Sequence, residues 1–469
     1  MTAERSPGRK LFFAGLVAAV LIVPLMMVYL LVYDRESQSQ QAQTSITAGW
    51  GGAQTVTGPV LVIPFVAESV ETEVVDGQRR ERTIRSRRHL FVSPTRQSIE
   101  TAIDPDRKRY AIYETVVYET RMSGEARFEL PADLERFGVR PGDLLLDQAE
   151  LRFGVSDPRG LKNDAAVRVD GAPLALQPGN GPAATGGSGF SAFVEWDGQQ
   201  ALAVSWRYGI RGSHSLALVP RGGATAWRVT SPWPHPSFSG SFLPDAREIS
   251  SAGFSATYEG ITNLALGRPL VSTVDDGPPP FELSDGSYPS PPMRDTVAAA
   301  TGEPGMAARI GLVDPVDLYS QVDRAVKYGF LFIGFTFAAF LMFDVVGGAR
   351  VAAAEYLLTG AGLVLFFVLL LAFSEVIGFA WAYLVAAAAI IALLTAYSAA
   401  VLGTWRRAGF IGAMLAGLYA LLFVLLSMET YSLLIGSLLL FAALAGIMYA
   451  TRRVDWSAIG RTDEGEMAA

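Results

Sequence analysis

Residues 11–33 carry no charged side chain, and Arg5, Arg9 and Lys10 precede them. At ~1.5 Å of helical rise per residue this block spans a hydrocarbon core of ~30 Å. A cleaved export signal has a shorter apolar stretch, ~7–15 residues, with a small-residue cleavage site directly after it. Here Asp34-Arg35-Glu36 follows, so the block reads as a retained anchor. Five further apolar segments lie near the C-terminus, at about 328–346, 356–373, 379–402, 408–426 and 432–450. Half of the chain is hydrophobic and only 18% is charged, which argues against an ordinary soluble enzyme. The apolar residues concentrate at the two ends. The pattern predicts an α-helical integral membrane protein with six transmembrane helices, one plus five, and a large all-β, sandwich-like domain inserted after helix 1.

The connections between segments set an orientation. With the N-terminus inside, the inner connections carry Arg350, Arg406 and Arg407, and Arg452 and Arg453, whereas the short outer loops carry only Glu375 and Glu429. Lys and Arg are retained on the cytoplasmic side. The expected layout is a cytoplasmic N-terminus (1–10), the anchor (11–33), an outer β-rich domain (34–325), a five-helix membrane domain (328–450) and a cytoplasmic tail (451–469).

Between the apolar ends the chain reads as strands and turns. Asp76-Gly77, Asp170-Gly171 and Asp197-Gly198 each separate β-prone runs, and Asp-Gly suits a two-residue hairpin turn with positive φ at both positions. With Asp76-Gly77 as the turn, Glu73 faces Arg80, Glu71 faces Arg82 and Glu68 faces Arg85. The Arg-rich stretch 79–88 is thereby read as register control on a hairpin, cross-strand pairs contributing ~0.2–1 kcal/mol each; contact with anionic headgroups is the alternative. Residues 201–210 and 224–230 alternate apolar and polar, a short helix is expected from Pro131, and Gly186-Gly187-Ser188-Gly189 reads as a flexible turn. Residues 267–305, crowded with Pro, Gly, Ser and Asp, read as a linker or long surface loop.

No catalytic constellation is visible. The three histidines, His89, His214 and His235, are too far apart for a local metal motif, and there is no nucleophile elbow or phosphate loop. The sequence has no Cys, which removes disulfides, thiolate nucleophiles and Cys-ligated metal. No cofactor or metal is expected, and the mild formal charge of −7 makes nucleic acid an unlikely partner. The most distinctive soluble segment is Trp233-Pro234-His235-Pro236-Ser237-Phe238. Three readings stand: a rigid corner packed on the sandwich, a binding edge for a ligand or partner that loses little entropy on docking, and catalysis by His235, which has no visible acid or base partner in the sequence. Within the membrane, Asp344, Glu355, Glu375 and Glu429 fall near segment ends and read as interfacial acids rather than a central ion site. Gly412 with Ala416, Ala413 with Gly417 and Ala442 with Gly446 suggest close helix packing.

Several blocks, in order along nearly the whole chain, resemble the CreD family of inner-membrane cell-envelope integrity proteins. They are Gly58-Pro59-Val60-Leu61-Val62-Ile63-Pro64, the Trp233–Phe238 block continuing to Gly253-Phe254, and Pro315-Val316-Asp317 with Tyr319, Arg324 and Lys327-Tyr328. Glu355-Tyr356-Leu357-Leu358, Ser374-Glu375 and Arg452-Arg453-Val454-Asp455-Trp456 complete the set. The resemblance implies a bacterial inner membrane location, with the large domain periplasmic, and a role in envelope integrity and stress response, with no catalytic residues to carry over. The expected function is a binding, sensing or scaffold module with the bilayer and an envelope protein or cell-wall component as partners. A transporter or lipid-handling role for the C-terminal helices is the alternative. The sequence leaves the oligomeric state open.

Overall fold

In the computed structural model the described residues are 7–75, 78–110, 113–275, 306–313, 318–345, 352–427 and single positions between 437 and 449. They form two compact units, one of Met1–Gln41 with Val316–Ala469 and one of Ala42–Pro315.

The helices are α1 (Pro7–Trp50), α2 (Leu318–Lys327), α3 (Gly329–Val345), α4 (Ala353–Ile377), α5 (Phe379–Leu402) and α6 (Trp405–Ser427). Among the described residues, five helical stretches are long and apolar enough to cross a membrane: Phe12–Trp50, Leu318–Leu341, Ala353–Ile377, Phe379–Leu402 and Trp405–Leu426. The sixth segment, 432–450, lies outside the described residues apart from single positions. Helix α1 does not stop at Tyr33, where the apolar run ends. It continues to Trp50 because residues 34–48 are rich in Gln and contain no Gly or Pro, so nothing interrupts the helix before Gly49.

The strands are β1 (Gln54–Val75), β2 (Gln78–Val92), β3 (Arg96–Tyr110), β4 (Tyr113–Phe128), β5 (Ala149–Val155), β6 (Ala166–Val169), β7 (Ala172–Pro173), β8 (Gln177–Pro178) and β9 (Gly189–Val194). They continue with β10 (Leu202–Ser213), β11 (Ser215–Val219), β12 (Ala224–Ser231), β13 (Pro236–Gly240), β14 (Ala246–Ser250), β15 (Gly253–Thr262), β16 (Val271–Ser272) and β17 (Ala308–Leu312). Among the described residues they build a nine-stranded sheet, β13-β17-β11-β1-β5-β9-β8 with β2 and β16 attached to β1, and an eight-stranded sheet, β14-β15-β12-β3-β4-β10-β6-β7. The alternation read in the sequence puts one face of each sheet inward, and both faces supply one core. Phe153 of β5 meets Trp206 of β10 edge-on at 5.8 Å, and Phe190 of β9 meets Tyr208 of β10 at 5.5 Å. Trp227 is fully buried, and its indole N–H donates to Thr101 Oγ1 at 2.9 Å. Burying an aromatic of this size contributes about 1.5–3 kcal/mol.

The first hairpin has the expected register: Glu68 pairs with Arg85, Glu71 with Arg82 and Glu73 with Arg80. Glu68 and Arg85 close an ion pair at 3.0 Å, while the turn, 76 and 77, lies outside the described residues. At Asp170-Gly171 both residues have positive φ, 47° and 86°, and they join β6 to β7. Asp197-Gly198 corrects the sequence reading. It joins β9 and β10, which belong to different sheets, so it turns the chain across the core rather than closing a hairpin. Asp197 Oδ1 holds this turn by accepting the backbone N–H of Gln199 at 2.9 Å. The short helix expected from Pro131 is a single 3₁₀ turn at Leu134–Phe137. Gly186 to Gly189 do form a turn, with positive φ at Gly186, Gly187 and Gly189. The start of the proline-rich stretch is integrated into the fold, because Val271 pairs with Val92, whereas 276–305 lie outside the described residues.

In the helical unit, Ala14, Leu21, Val28 and Val32 are the buried apolar residues of α1 among those whose side chains are described. The first three recur at seven-residue spacing, which makes a narrow packing seam, and the exposed Val23, Met27 and Leu30 present a lipid-compatible surface. Leu21 seats against Gly360 of α4, where a Cβ would overlap Leu21 Cδ1. Phe332, Phe366 and Tyr419 cluster, with Phe332 and Tyr419 centroids 4.7 Å apart, and Tyr383 donates its hydroxyl to Tyr419 O at 2.7 Å. Gly412 packs on Thr395 of α5, as its spacing with Ala416 suggested, whereas a Cβ at Gly417 meets nothing within 4 Å. Ala442 and Gly446 are among the residues not described.

Candidate functional site

The Trp233–Phe238 block is the crossing point between the sheets. Strand β12 ends at Ser231 in the eight-stranded sheet, and β13 starts at Pro236 in the nine-stranded one. Pro232, Pro234 and Pro236 each fix φ, which suits a chain that must leave one ladder and enter another within a few residues. Trp233 is buried, and its indole N–H donates to His235 O at 3.1 Å and Val313 O at 3.0 Å. The guanidinium of Arg107 lies over the Trp233 ring, 5.5 Å from its centroid. Pro234 is half-buried and His235 is exposed. Phe238 is half-buried, edge-on to Phe254 at 5.7 Å and approached by Arg247 at 6.0 Å. The anchoring tryptophan therefore faces the core rather than solvent.

Beside this corner the outer face of the eight-stranded sheet is concave. A groove of about 610 Å³ is lined by Asp104 of β3, Arg121 of β4, Pro232, and Glu248 and Ile249 of β14. A second, of about 510 Å³, is lined by Glu100 of β3, Glu125 of β4, Arg168 of β6 and Arg207 of β10. Strand register orders these groups into rows: Arg228, Glu100, Ser123 and Arg207 run side by side across β12, β3, β4 and β10. Ser98, Glu125, Ser205 and Arg168 form the next row. Among the described residues, Glu100, Glu125, Arg168 and Arg207 make no hydrogen bond or ion pair with other side chains, unlike Glu119, which holds Lys162 at 2.6 Å and Arg211 at 3.0 Å. The face thus presents hydroxyls, carboxylates and guanidinium groups that are free to bind a polar ligand. Sequence reasoning missed it. Its alternating positions on β3, β4 and β10 were visible only as strand periodicity, and pairing across long sequence separations brings them together.

On the outer face of the other sheet, buried Glu150 accepts from Arg152 Nε at 2.9 Å and Asn180 Nδ2 at 3.1 Å. Burial acts to raise its carboxyl, but the hydrogen bonds from Ser191, Asn180 and Arg152 outweigh it and hold the group below the ordinary carboxylate value. His89 is held below the usual imidazole value by burial, then by Arg152 and Arg87. His214 sits between β10 and β11 at φ 61°, where the chain changes sheets. The three histidines lie on separate elements, and among the described residues no three His, Asp or Glu side chains gather into a metal site.

The membrane acids are distributed. Glu355, in the first turn of α4, accepts the N–H of Ala352 at 2.7 Å, a capping contact that also complements the helix dipole. Glu375, near the end of α4, accepts the Tyr319 hydroxyl at 3.2 Å. Asp344 lies in the last turn of α3, and its side chain is not described, nor is Glu429.

The family model for inner membrane protein CreD matches residues 6–457. The chain belongs to the CreD family. This member is 29% identical to the inner membrane protein CreD of Escherichia coli (strain K12) over 444 residues, covering 94% of this chain and 91% of the relative. The match includes both units, so the inner membrane assignment of the CreD family and the apolar helices agree. Gly58 of the early Gly-Pro-Val-Leu-Val-Ile-Pro block gains a physical role: it has φ 98°, and a Cβ there would come 2.8 Å from Arg152 O on β5.

Proposed function

We propose that this CreD family member maintains the cell envelope through its β-unit, which lies on the periplasmic side and binds an envelope component, with the apolar helices as its membrane support. The observation that carries the reading is the concave outer face of the eight-stranded sheet. Exposed charged groups of both signs stand there in register beside hydroxyls, and their donors and acceptors are not taken up by other side chains among the described residues. Their mixed signs favour a polar ligand bearing both donors and acceptors, such as a glycan or a peptide of the cell wall. The Arg distribution of the short connections, Arg406 and Arg407 against Glu375, supports the orientation.

The Trp233–Phe238 block is assigned to positioning this face rather than to contacting the ligand. A variant carrying Glu100→Ala, Arg207→Ala and Glu125→Ala should fold, because these side chains point outward, and should lower tolerance to cell-wall-directed antibiotics in cells that depend on the protein. Full tolerance at normal protein level would refute the assignment of the face.

A further inference from the structure

The helical unit holds a crevice of about 360 Å³, within the ~300–1,000 Å³ range of small-ligand sites. Its walls include Phe379 and Trp381 of α5, Phe423 and Leu426 of α6, and Gln321 of α2. Three helix ends fix its depth: α4 stops at Ile377, α5 starts at Phe379 and α6 stops at Ser427. The crevice therefore lies where hydrocarbon gives way to headgroups, the level at which amphipathic Trp rings concentrate, and Trp381 is 68% exposed there. Gln321 supplies a side-chain amide on the wall. Its Oε1 is shielded from water and accepts no hydrogen bond among the described residues. A shielded amide oxygen without a donor is destabilising, and a donor seated in the crevice beside Gln321 would relieve that cost.

We propose that this crevice holds one phospholipid of the surrounding bilayer, its acyl chain against Phe423 and Leu426 and an N–H or O–H of its headgroup donating to Gln321 Oε1. The occupant follows from the place: apolar walls take methylenes, the amide oxygen takes a donor, and at this depth a donor-bearing phospholipid carries both. The site is independent of the binding face on the β-unit.

The test uses the full chain, purified in detergent and delipidated, then exposed to equal amounts of phosphatidylethanolamine, phosphatidylglycerol and phosphatidylcholine with identical acyl chains. Retained lipid is read by native mass spectrometry. The phosphatidylcholine headgroup has no N–H or O–H. Wild type should retain the two donor-bearing lipids about tenfold better, the scale of one hydrogen bond. Gln321→Leu should bring them down to the phosphatidylcholine level, and Ala380→Trp, which fills the crevice, should lower all three. Equal retention of the three lipids by wild type, a comparison that needs no variant, overturns the proposal, as does unchanged selectivity in a folded Gln321→Leu protein.

Discussion

The indole N–H of Trp233 donates to the carbonyl of Val313, eighty residues further along the chain, at 3.0 Å. This one contact joins the corner between the sheets to the end of β17, the strand that carries β13 into the nine-stranded sheet.

Trp233→Phe should keep most of the packing and lose both hydrogen bonds of the indole, leaving the His235 and Val313 carbonyls without that donor. The expected loss is about 1–3 kcal/mol, read as a lower thermal midpoint of the β-unit. His235 is exposed, so His235→Ala should stay within about 0.5 kcal/mol of wild type. Equal effects of the two substitutions would contradict the division of roles within the block.

Glu150 makes stability depend on acid. Its carboxyl is held below the value it has in the unfolded chain, so its contribution is complete above about pH 5 and fades as pH falls through the depressed value of the folded state. Glu150→Gln removes the charge that holds Arg152 and should cost about 1–3 kcal/mol near neutral pH. The variant should also show a flatter loss of stability on acidification, measured by denaturant unfolding between pH 7 and pH 3. An unchanged acid limb would exclude Glu150 as its source.

A Cβ at Gly360 of α4 would overlap Leu21 Cδ1 of α1 and press on Phe337, so a side chain at 360 forces Leu21 to move. Gly360→Val should lower the thermal midpoint of the protein in detergent by an amount comparable to overpacking a core, about 1–3 kcal/mol. Adding Leu21→Ala should restore part of it, since the two substitutions share one space. Simple additivity of the two losses would show that they do not meet.

Local rules were legible wherever one ladder or one turn decided the outcome. The Glu68–Arg85 register follows from a two-residue turn and a period of two, and Asp170-Gly171 follows from positive φ at both positions. Asp197-Gly198 carries the same dipeptide and does something else, because partner choice is a property of the sheets: the core faces of β9 and β10 belong to opposite layers. The apolar run ends at Tyr33, while the uninterrupted helix carries α1 on to Trp50. That residue then lies between Lys108 Nζ at 4.9 Å and Arg211 Cζ at 4.7 Å. The row of charges on the outer face was invisible for the same reason as the crossing turn: Glu100 and Arg207 meet the same strand, β4, from opposite sides, which no local spacing encodes.

The most direct measurement is site-specific photo-crosslinking in living cells, with the reactive side chain placed in turn at Ser255 and Ser123 on the concave face and at exposed Phe193 on the other sheet. If the eight-stranded sheet binds an envelope component, the same adduct should form from both groove positions, be absent from Phe193, and disappear when Glu100→Ala and Arg207→Ala are added. Adducts that are identical at all three positions, or absent from the groove in a folded and correctly inserted protein, would contradict the account.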